Sequence, residues 1–327
     1  IPVLDYKLIF MYDVKASILN AIGNTPMVSL RRTGCENIEI VVKLEYYNPS
    51  FSIKDRIAIG MIEDAERKGI IKKGGTVIAK TSGNTGTGLA IACAVKGYKF
   101  IAVMSAGNSH EKYQMLRAFG AEVVLVPQQK GEKAGEVSRR DNEEVEQKTE
   151  ELALQLGAYR PNQYLNPVNY LIHEYTTGKE IIGQTDGNID AFVAFVGTGG
   201  TFVGIASALK KFRSSIKCYP VEPESAQYLA GKPVISTRHK IQGGGHAVKP
   251  SYWDESLVDG YLSVSDDDAT EIARHLSAAE GIFAGYSGGA NVAAAMKLDD
   301  ILPRGSIVAT VIPDSGMKYL STDLYKY

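Results

Sequence analysis

One lysine stands out by its company. In Asn48-Pro49-Ser50-Phe51-Ser52-Ile53-Lys54-Asp55-Arg56, Ser52 and Asp55 have the spacing of a capped helix start. Lys54 would then lie in the first turn, where the partial positive charge of the helix end disfavours a cation and lowers its pKa. A neutral amine is the form that attacks a carbonyl to give a Schiff base. On this segment alone, an ordinary surface lysine is the simpler account.

Three further segments combine glycines with hydroxyls. Lys80-Thr81-Ser82-Gly83-Asn84-Thr85-Gly86-Thr87-Gly88 follows an expected strand and opens an expected helix. Small hydroxyls, an Asn and the free N–H groups of a helix start make a site for a phosphate or a carboxylate. A tight turn whose glycines serve geometry alone is the alternative. Val196-Gly197-Thr198-Gly199-Gly200-Thr201-Phe202-Val203-Gly204 occupies the same kind of strand–helix junction. Its glycines let the backbone wrap a phosphate, and Thr198 and Thr201 add donors. It is not a dinucleotide fingerprint, because G-x-G-x-x is followed by Phe202, and no Gly-Lys-Ser/Thr makes it a Walker loop. A phosphate site without a nucleotide signature points to a smaller phosphorylated cofactor. Ala284-Gly285-Tyr286-Ser287-Gly288-Gly289-Ala290 opens a late helix and, alone, reads as close helix–sheet packing.

The elements that must position these segments alternate. Strands are expected at 38–44, 76–80, 100–104, 122–126, 191–196, 218–222 and 307–312. Helices are expected at 53–68, 85–95, 110–119, 145–156, 201–212, 269–279 and 288–298. Such alternation predicts parallel sheets covered by helices, an α/β fold. The polar stretch 128–142, with Gly131 and Gly135, reads as a surface loop. The helix after it carries apolar residues at 145, 152, 153 and 156 among charges, so it should lie on the surface, with a boundary between sheets nearby.

Bulk properties narrow the field. The 327 residues suggest two domains or one large one, and 44% hydrophobic with 22% charged residues is ordinary globular composition. Thirty-six basic and thirty-seven acidic residues leave a net charge of −1 without a basic stripe, so nucleic acid is not an expected partner. Cys35, Cys93 and Cys218 are far apart and odd in number. Neither a disulfide framework nor a metal site is expected, and a reducing, cytoplasmic setting fits. The apolar run at 8–12 is too short for a signal core or a membrane span, so no membrane association is expected. The sequence opens on Ile1, which leaves room for an upstream start.

Together, and in this order, the four segments resemble the fold-type-II pyridoxal-phosphate family. The likeness is greatest to its cysteine synthases (O-acetylserine sulfhydrylases) and cystathionine β-synthases. It runs from Ile22-Gly23-Asn24-Thr25-Pro26 to Pro313-Asp314-Ser315-Gly316-Met317-Lys318-Tyr319-Leu320-Ser321. The resemblance implies two three-layer α/β/α domains with mostly parallel sheets, as in the tryptophan synthase β-subunit, with the cofactor in the cleft. Residues 1–50 with 166–327 would form the larger, cofactor-phosphate-binding domain, and 51–165 the smaller, mobile, substrate-binding one. Lys54 would carry pyridoxal 5'-phosphate as an internal aldimine and shuttle the α-proton. Asn84 would bond the ring hydroxyl, and Gly197, Thr198, Gly199, Gly200 and Thr201 would cradle the phosphate. Thr81, Ser82, Gly83, Asn84 and Thr85 would bind the substrate carboxylate, helped by Gln163 in Asn162-Gln163-Tyr164.

By the same resemblance Ser287 would face the pyridine nitrogen. A neutral hydroxyl leaves that nitrogen largely unprotonated, which favours loss of a β-substituent to an aminoacrylate over racemisation and transamination. The activity implied is β-replacement on an activated L-serine such as O-acetylserine, giving L-cysteine or a related β-substituted alanine. β-Elimination, as in a cysteine desulfhydrase or a serine/threonine dehydratase, is the alternative. Against it, Arg56-Ile57-Ala58 departs from the S-F-K-x-R-G-A pattern of threonine dehydratases. A non-catalytic scaffold is a third reading, opposed by the intact lysine and anion loop. The implied partners are the amino-acid substrate, a small nucleophile, a second copy of the chain, and the C-terminal tail of a serine acetyltransferase docking in the cleft.

The chain also departs from that family. Where cysteine synthases read M-P-E-T-M-S-x-E-R, this chain reads Met104-Ser105-Ala106-Gly107-Asn108-Ser109-His110-Glu111-Lys112. Small residues would open space for the nucleophile, and Asn108 would orient a polar group on it, so a larger thiol or an amine is expected beside sulfide. The 128–142 loop is longer than its usual counterpart, and Gly244-Gly245-His246 follows His239-Lys240-Ile241-Gln242-Gly243 in place of the usual continuation. Asp314 stands where a Ser is common.

Overall fold

The structure, a computed structural model, describes residues 14–32, 34–128 and 137–326. In chain order they form β1 (Met27–Ser29), β2 (Ile38–Leu44), α1 (Lys54–Arg67), β3 (Thr76–Lys80), α2 (Asn84–Lys96) and β4 (Lys99–Ser105). Next come α3 (His110–Ala118), β5 (Glu122–Val126), α4 (Arg139–Leu156), α5 (Val168–Ile172), α6 (Gly178–Gln184) and β6 (Ala191–Phe195). The chain continues with α7 (Gly200–Phe212), β7 (Lys217–Pro223), β8 (Leu262–Val264), α8 (Asp266–His275), α9 (Tyr286–Met296) and β9 (Ser306–Ile312).

Two sheets result. The larger runs β1-β2-β9-β6-β7-β8, parallel except for the β1–β2 pair, and the smaller is β3-β4-β5, all parallel. The central strands β6 (AFVAF) and β9 (SIVATVI) are near-continuous apolar runs, as strands buried on both faces must be. On one face of the large sheet, Val42, Val193 and Val308 pack against Ala273, Tyr286, Ala290 and Ala294 of α8 and α9. On the other, Phe192, Ala194 and Ala309 meet Ile181, Phe202, Ile205 and Leu209 of α6 and α7. The small sheet is covered likewise. Val77, Ala102 and Met104 lie under Ile62, Leu89 and Leu116, while Ile78, Ile101 and Val103 lie under Val145 of α4. Each sheet is thus the middle of three layers, which is the expected fold class.

The expected strands and helices appear with ends shifted by a residue or two, with five exceptions. Strands β1 and β8 are three residues each, too short to give a period in the sequence. The helical run from α5 through a π-turn at His173–Thr177 to α6 was also unforeseen, because buried polar residues interrupt its apolar stripe. Helix α8 ends at His275 and passes into a second π-turn at Leu276–Glu280 instead of continuing to 279. Helix α4 starts at Arg139, not 145, because Ser138 and Asp141 form a reciprocal capping box. Part of the expected 128–142 loop is therefore helix, and its residues 129–136 lie outside the described ones. Val145 is buried, so α4 is less of a surface helix than its charges suggest. Among the described residues, no helix is long and apolar enough to cross a membrane, and the three cysteines are free thiols.

Candidate active site

In open parallel sheets, ligands gather beyond the carboxyl ends of the strands. Here five such ends converge. The segments after β2, β3, β4, β6 and β9 all contribute to one cleft of about 510 Å3. Its lining includes Lys54, Thr81, Ser82, Gly83, Asn84 and Thr85. Asn108, Gln163 and Thr198 also face it. Of the expected site residues, Gly197, Gly199, Gly200, Thr201 and Ser287 are not among the lining side chains.

Lys54 opens α1, but not behind the expected capping box. The residue before the helix is Ile53, in helical conformation and without a capping side chain. The Asp55 carboxylate turns instead to Ser50, accepting its backbone N–H at 2.6 Å and its hydroxyl. Ser52 accepts the Lys54 N–H at 3.3 Å. The Lys54 amine does have a lowered pKa, about 8, and the cause is burial, opposed by the charge of Asp314. Glycine brings the hydroxyl-rich loop up to it: a Cβ on Gly88 would stand 3.0 Å from the Ala58 Cβ and 3.2 Å from the Lys54 carbonyl oxygen. Bare glycine thus lets α2 lie directly on α1.

Asn84, the first residue of α2, ties that loop to the end of β9. Its amide donates to Asp314 at 2.7 Å, and its oxygen accepts from Lys318 at 2.5 Å. Asp314 also accepts from the Tyr319 hydroxyl at 2.8 Å, while its other oxygen is buried with no partner among the described residues. Burial pushes the Asp314 carboxyl up and the Lys318 amine down, and the attraction between them opposes both shifts. Thr85 donates to the Gln163 side chain at 2.7 Å, holding the second wall of the loop.

The 197–201 turn is pressed into place from its Cβ side. A Cβ on Gly197 would lie 2.3 Å from the Gly243 carbonyl, one on Gly199 2.7 Å from Pro250, and one on Gly200 2.0 Å from Asn169 Oδ1. Gly199 has φ +87, a conformation that favours glycine. The turn leads into α7, whose first N–H groups have no acceptor within the helix. Thr198 accepts from Asn169 at 2.9 Å, and Thr201 lies 3.5 Å from His173 Nε2. His173 is fully buried and kept neutral by burial and by the nearby Lys54 and Arg56 charges.

Behind Lys54 stands a buried ion cluster that sequence reading passed over. Arg56 spans Glu45 at 2.7 and 2.8 Å and Glu180 at 2.6 and 2.7 Å. Lys43, inside β2, reaches Glu180 at 2.8 Å. Burial would raise the Glu180 carboxyl, but Arg56 and Lys43 hold it down at about 2. A lysine at the buried end of the strand Ile38–Leu44, after three apolar residues, was the available signal. Asn108 lines the cleft as well, and its amide donates to the Ser105 carbonyl at 3.1 Å, within its own turn.

The comparisons with known proteins agree with this geometry. The family described as pyridoxal-phosphate dependent enzyme matches residues 18–314. A cysteine synthase of Staphylococcus aureus is 43% identical over 95% of this chain and 97% of its own length. An O-ureido-L-serine synthase of Streptomyces lavendulae is 38% identical over 94% of this chain and 92% of its own. The crystal structure of a hydrogen sulfide-producing enzyme from Fusobacterium nucleatum superposes with a TM-score of 0.86 at 41% identity, covering 95% of this chain and 99% of that one. With that family model matching residues 18–314, and a lysine of lowered pKa sharing one cleft with the hydroxyl-rich loop 81–85, the chain belongs to the pyridoxal-phosphate dependent enzymes.

Proposed function

We propose that this protein catalyses β-replacement on an activated L-serine, such as O-acetyl-L-serine, yielding L-cysteine or a related β-substituted alanine. The observation that carries it is a lysine of lowered pKa sharing one cleft with the hydroxyl-rich loop 81–85. Similarity to a cysteine synthase and to an O-ureido-L-serine synthase supports the same reaction class.

The residues present fit pyridoxal phosphate. The Gly199 turn, closed on its Cβ side and opening onto the start of α7, is a cradle for a phosphate, with Thr198 and Thr201 as added donors. Lys54 would hold the cofactor's carbonyl carbon, and Ser287, at the start of α9, would stand at the ring nitrogen. Asn84 commits one amide N–H to Asp314 and keeps a second for the ring hydroxyl. When bound, the cofactor supplies a sink for the electron pair left at the substrate α-carbon.

The chain's own residues do the rest. Lys54 Nζ takes the α-proton and returns it at the end. Thr81 to Thr85 orient the substrate carboxylate, with the Thr85–Gln163 bond fixing the loop beforehand. The bond from β-carbon to acetate breaks with its pair on acetate, and the nucleophile supplies the pair for the new bond. β-Elimination is the second reading, favoured by likeness to a hydrogen sulfide-producing enzyme. The test is a product screen by mass spectrometry with O-acetylserine, O-phosphoserine, serine and cysteine, each with and without a nucleophile. β-Substituted alanines support replacement; pyruvate alone overturns it.

Residues 1–50 with 166–327, and 51–165, are proposed as the two domains, one around each sheet, with the smaller closing on substrate. A homodimer is proposed as well: Val14, Ile18, Tyr47 and Phe51 are exposed apolar side chains that a second copy would cover. A serine acetyltransferase tail would present a carboxylate to the 81–85 loop. Three free thiols fit a cytoplasmic setting.

A further inference from the structure

A β-replacement moves two protons, and for part of the reaction the cleft must hold both. Lys54 takes the α-proton in the first half and keeps it until the second half returns it, so its amine is committed throughout. Acetate leaves as a weak base and needs no proton. A neutral nucleophile H–X then arrives with a proton of its own, while Lys54 is already loaded. A second acceptor is needed unless the nucleophile enters ionised, as hydrosulfide can. Most titratable side chains of the lining are unsuited to that task. Lys80, Lys112 and Lys318 direct their protons to Glu146, Gln242 and Asn84. The Tyr319 hydroxyl donates to Asp314. The Glu111 carboxyl is held below its usual range by its own backbone N–H and by Ser109, which makes it a poor base.

Among the described residues lining the cleft, His246 is the only imidazole. It lies where this chain leaves the usual continuation after Gly243, on a turn of fixed shape. The Gly245 N–H donates to the Val196 carbonyl at 3.0 Å, and the Gly245 carbonyl lies 3.2 Å from His239 Nε2. A Cβ on Gly245 would stand 2.4 Å from Pro223 Cγ, and Ala247 has φ +52, which an L-residue seldom adopts. The turn is thus tied to the end of β6 and presents His246 to the cleft. The imidazole meets the Tyr164 ring edge-on, with centroids 6.5 Å apart, and Ser251 holds that neighbour by donating to the Tyr164 carbonyl at 2.7 Å. Tyr164 follows Gln163, which bonds Thr85 of the 81–85 loop, so His246 stands beside the substrate-binding wall. Its ring nitrogens make no hydrogen bond among the described residues. The surrounding walls desolvate its cation and, with the charges of His239 and Lys54, lower its pKa, so the ring is neutral at neutral pH.

We infer that His246 is a catalytic general base of the second half-reaction, taking the proton of a neutral nucleophile as that nucleophile bonds to the substrate β-carbon. This deepens the β-replacement reading and rests on it. A lone pair of X forms the new C–X bond, the X–H pair stays on X, and the proton passes to the imidazole. The pair displaced from the β-carbon moves to the α-carbon, where it takes the proton held by Lys54. His246 then releases its proton to solvent. Such a group admits nucleophiles that are un-ionised at neutral pH, organic thiols first among them, beside hydrosulfide.

The test uses the holoenzyme at mildly alkaline pH, O-acetylserine, and two thiols of similar size: ethanethiol, almost wholly protonated there, and trifluoroethanethiol, mostly ionised. Thioether and pyruvate are both measured. His246→Asn should lower kcat/KM for ethanethiol by about a hundredfold, the lower end of what a positioned base contributes, and by at least about tenfold less for trifluoroethanethiol. A residue that only shapes the cleft would lower both alike. Free imidazole added to His246→Ala should restore ethanethiol use by about tenfold or more. Magnetic resonance gives a readout apart from turnover: the histidine signal of the holoenzyme that His246→Asn lacks should titrate below the ordinary value of about 6.5. Equal losses for the two thiols would overturn the inference, as would a His246 signal titrating above that value. Pyruvate without thioether from the wild type and either thiol would overturn the β-replacement reading beneath it, whereas thioether formed with equal losses overturns this inference alone.

Discussion

Lys54 and Arg56 are two positions apart in α1 and live in opposite electrostatic circumstances. Arg56 is surrounded: two carboxylates grip its guanidinium, Thr25 and Asn48 fill the remaining valences of Glu45, and Lys43 completes the charge of Glu180. Lys54 is half-buried with no carboxylate of the described residues in ion-pair range, and its amine gives way by losing proton affinity. Compensated charge makes a rigid frame; uncompensated charge makes a responsive group. The same helix start therefore holds a compensated cation on one face and an uncompensated amine on the other.

That contrast can be broken most completely at its reactive end. Lys54→Ala should abolish turnover and the visible absorbance of lysine-bound cofactor while leaving the denaturation midpoint near that of the wild type. Turnover comparable to wild type would remove Lys54 from the chemistry. At the structural end, Arg56→Met strands Glu45 and Glu180 in a buried place and should cost about 3–5 kcal/mol in denaturant unfolding. Arg56→Lys should fall between, because an ammonium cannot fork onto both carboxylates.

A pH profile sharpens the comparison further. A folded-state pKa of about 8 keeps the neutral Lys54 amine available well below the pH at which an exposed lysine would supply it. Uptake of pyridoxal phosphate by the apoprotein should level off above that pH and slow about tenfold per unit below it, since the attacking form is titrated away. Asp314 raises the Lys54 pKa, so Asp314→Asn should move the midpoint lower. A midpoint that stays in place would uncouple the two groups. The smallest effect belongs to Glu146→Gln. Glu146 pairs with both Lys80 and Arg160, and the side chains of the three are 38%, 31% and 24% exposed, so the loss should be about 1 kcal/mol by thermal unfolding.

The sequence carried the fold through its long, buried strands, because a β-branched run between glycines has few other uses. It carried Lys54 and the 81–85 loop because their residue types sit beside helix starts. It misjudged how they are held. Ser52 and Asp55 have capping-box spacing, yet Asp55 prefers Ser50 once the chain before the helix doubles back. The lowered Lys54 pKa was expected from the helix end but arises from burial, which no local pattern records. Lys112 and the Arg56 cluster draw partners from more than a hundred residues away, and His173 from another helix, so their meaning exists only after folding. The bond from Asn108 to Ser105 is likewise invisible in a list of residue types.

The order of strands in the large sheet has a consequence in time. β9 is the last strand of the chain, yet it lies in the middle, between β2 and β6. During synthesis, β1 with β2 and β6 with β7 and β8 must wait as separate fragments, each with an open edge where β9 will insert. Asp314, Lys318 and Tyr319 follow β9 directly, so the wall bearing them forms only after that strand. A ribosome-bound chain that stops short of residue 306 already holds Lys54 and both anion loops, but no sheet that can keep them facing one another. Until β9 emerges, the nascent chain is therefore exposed to wrong strand partners, and its cleft comes into being in one step when that strand inserts.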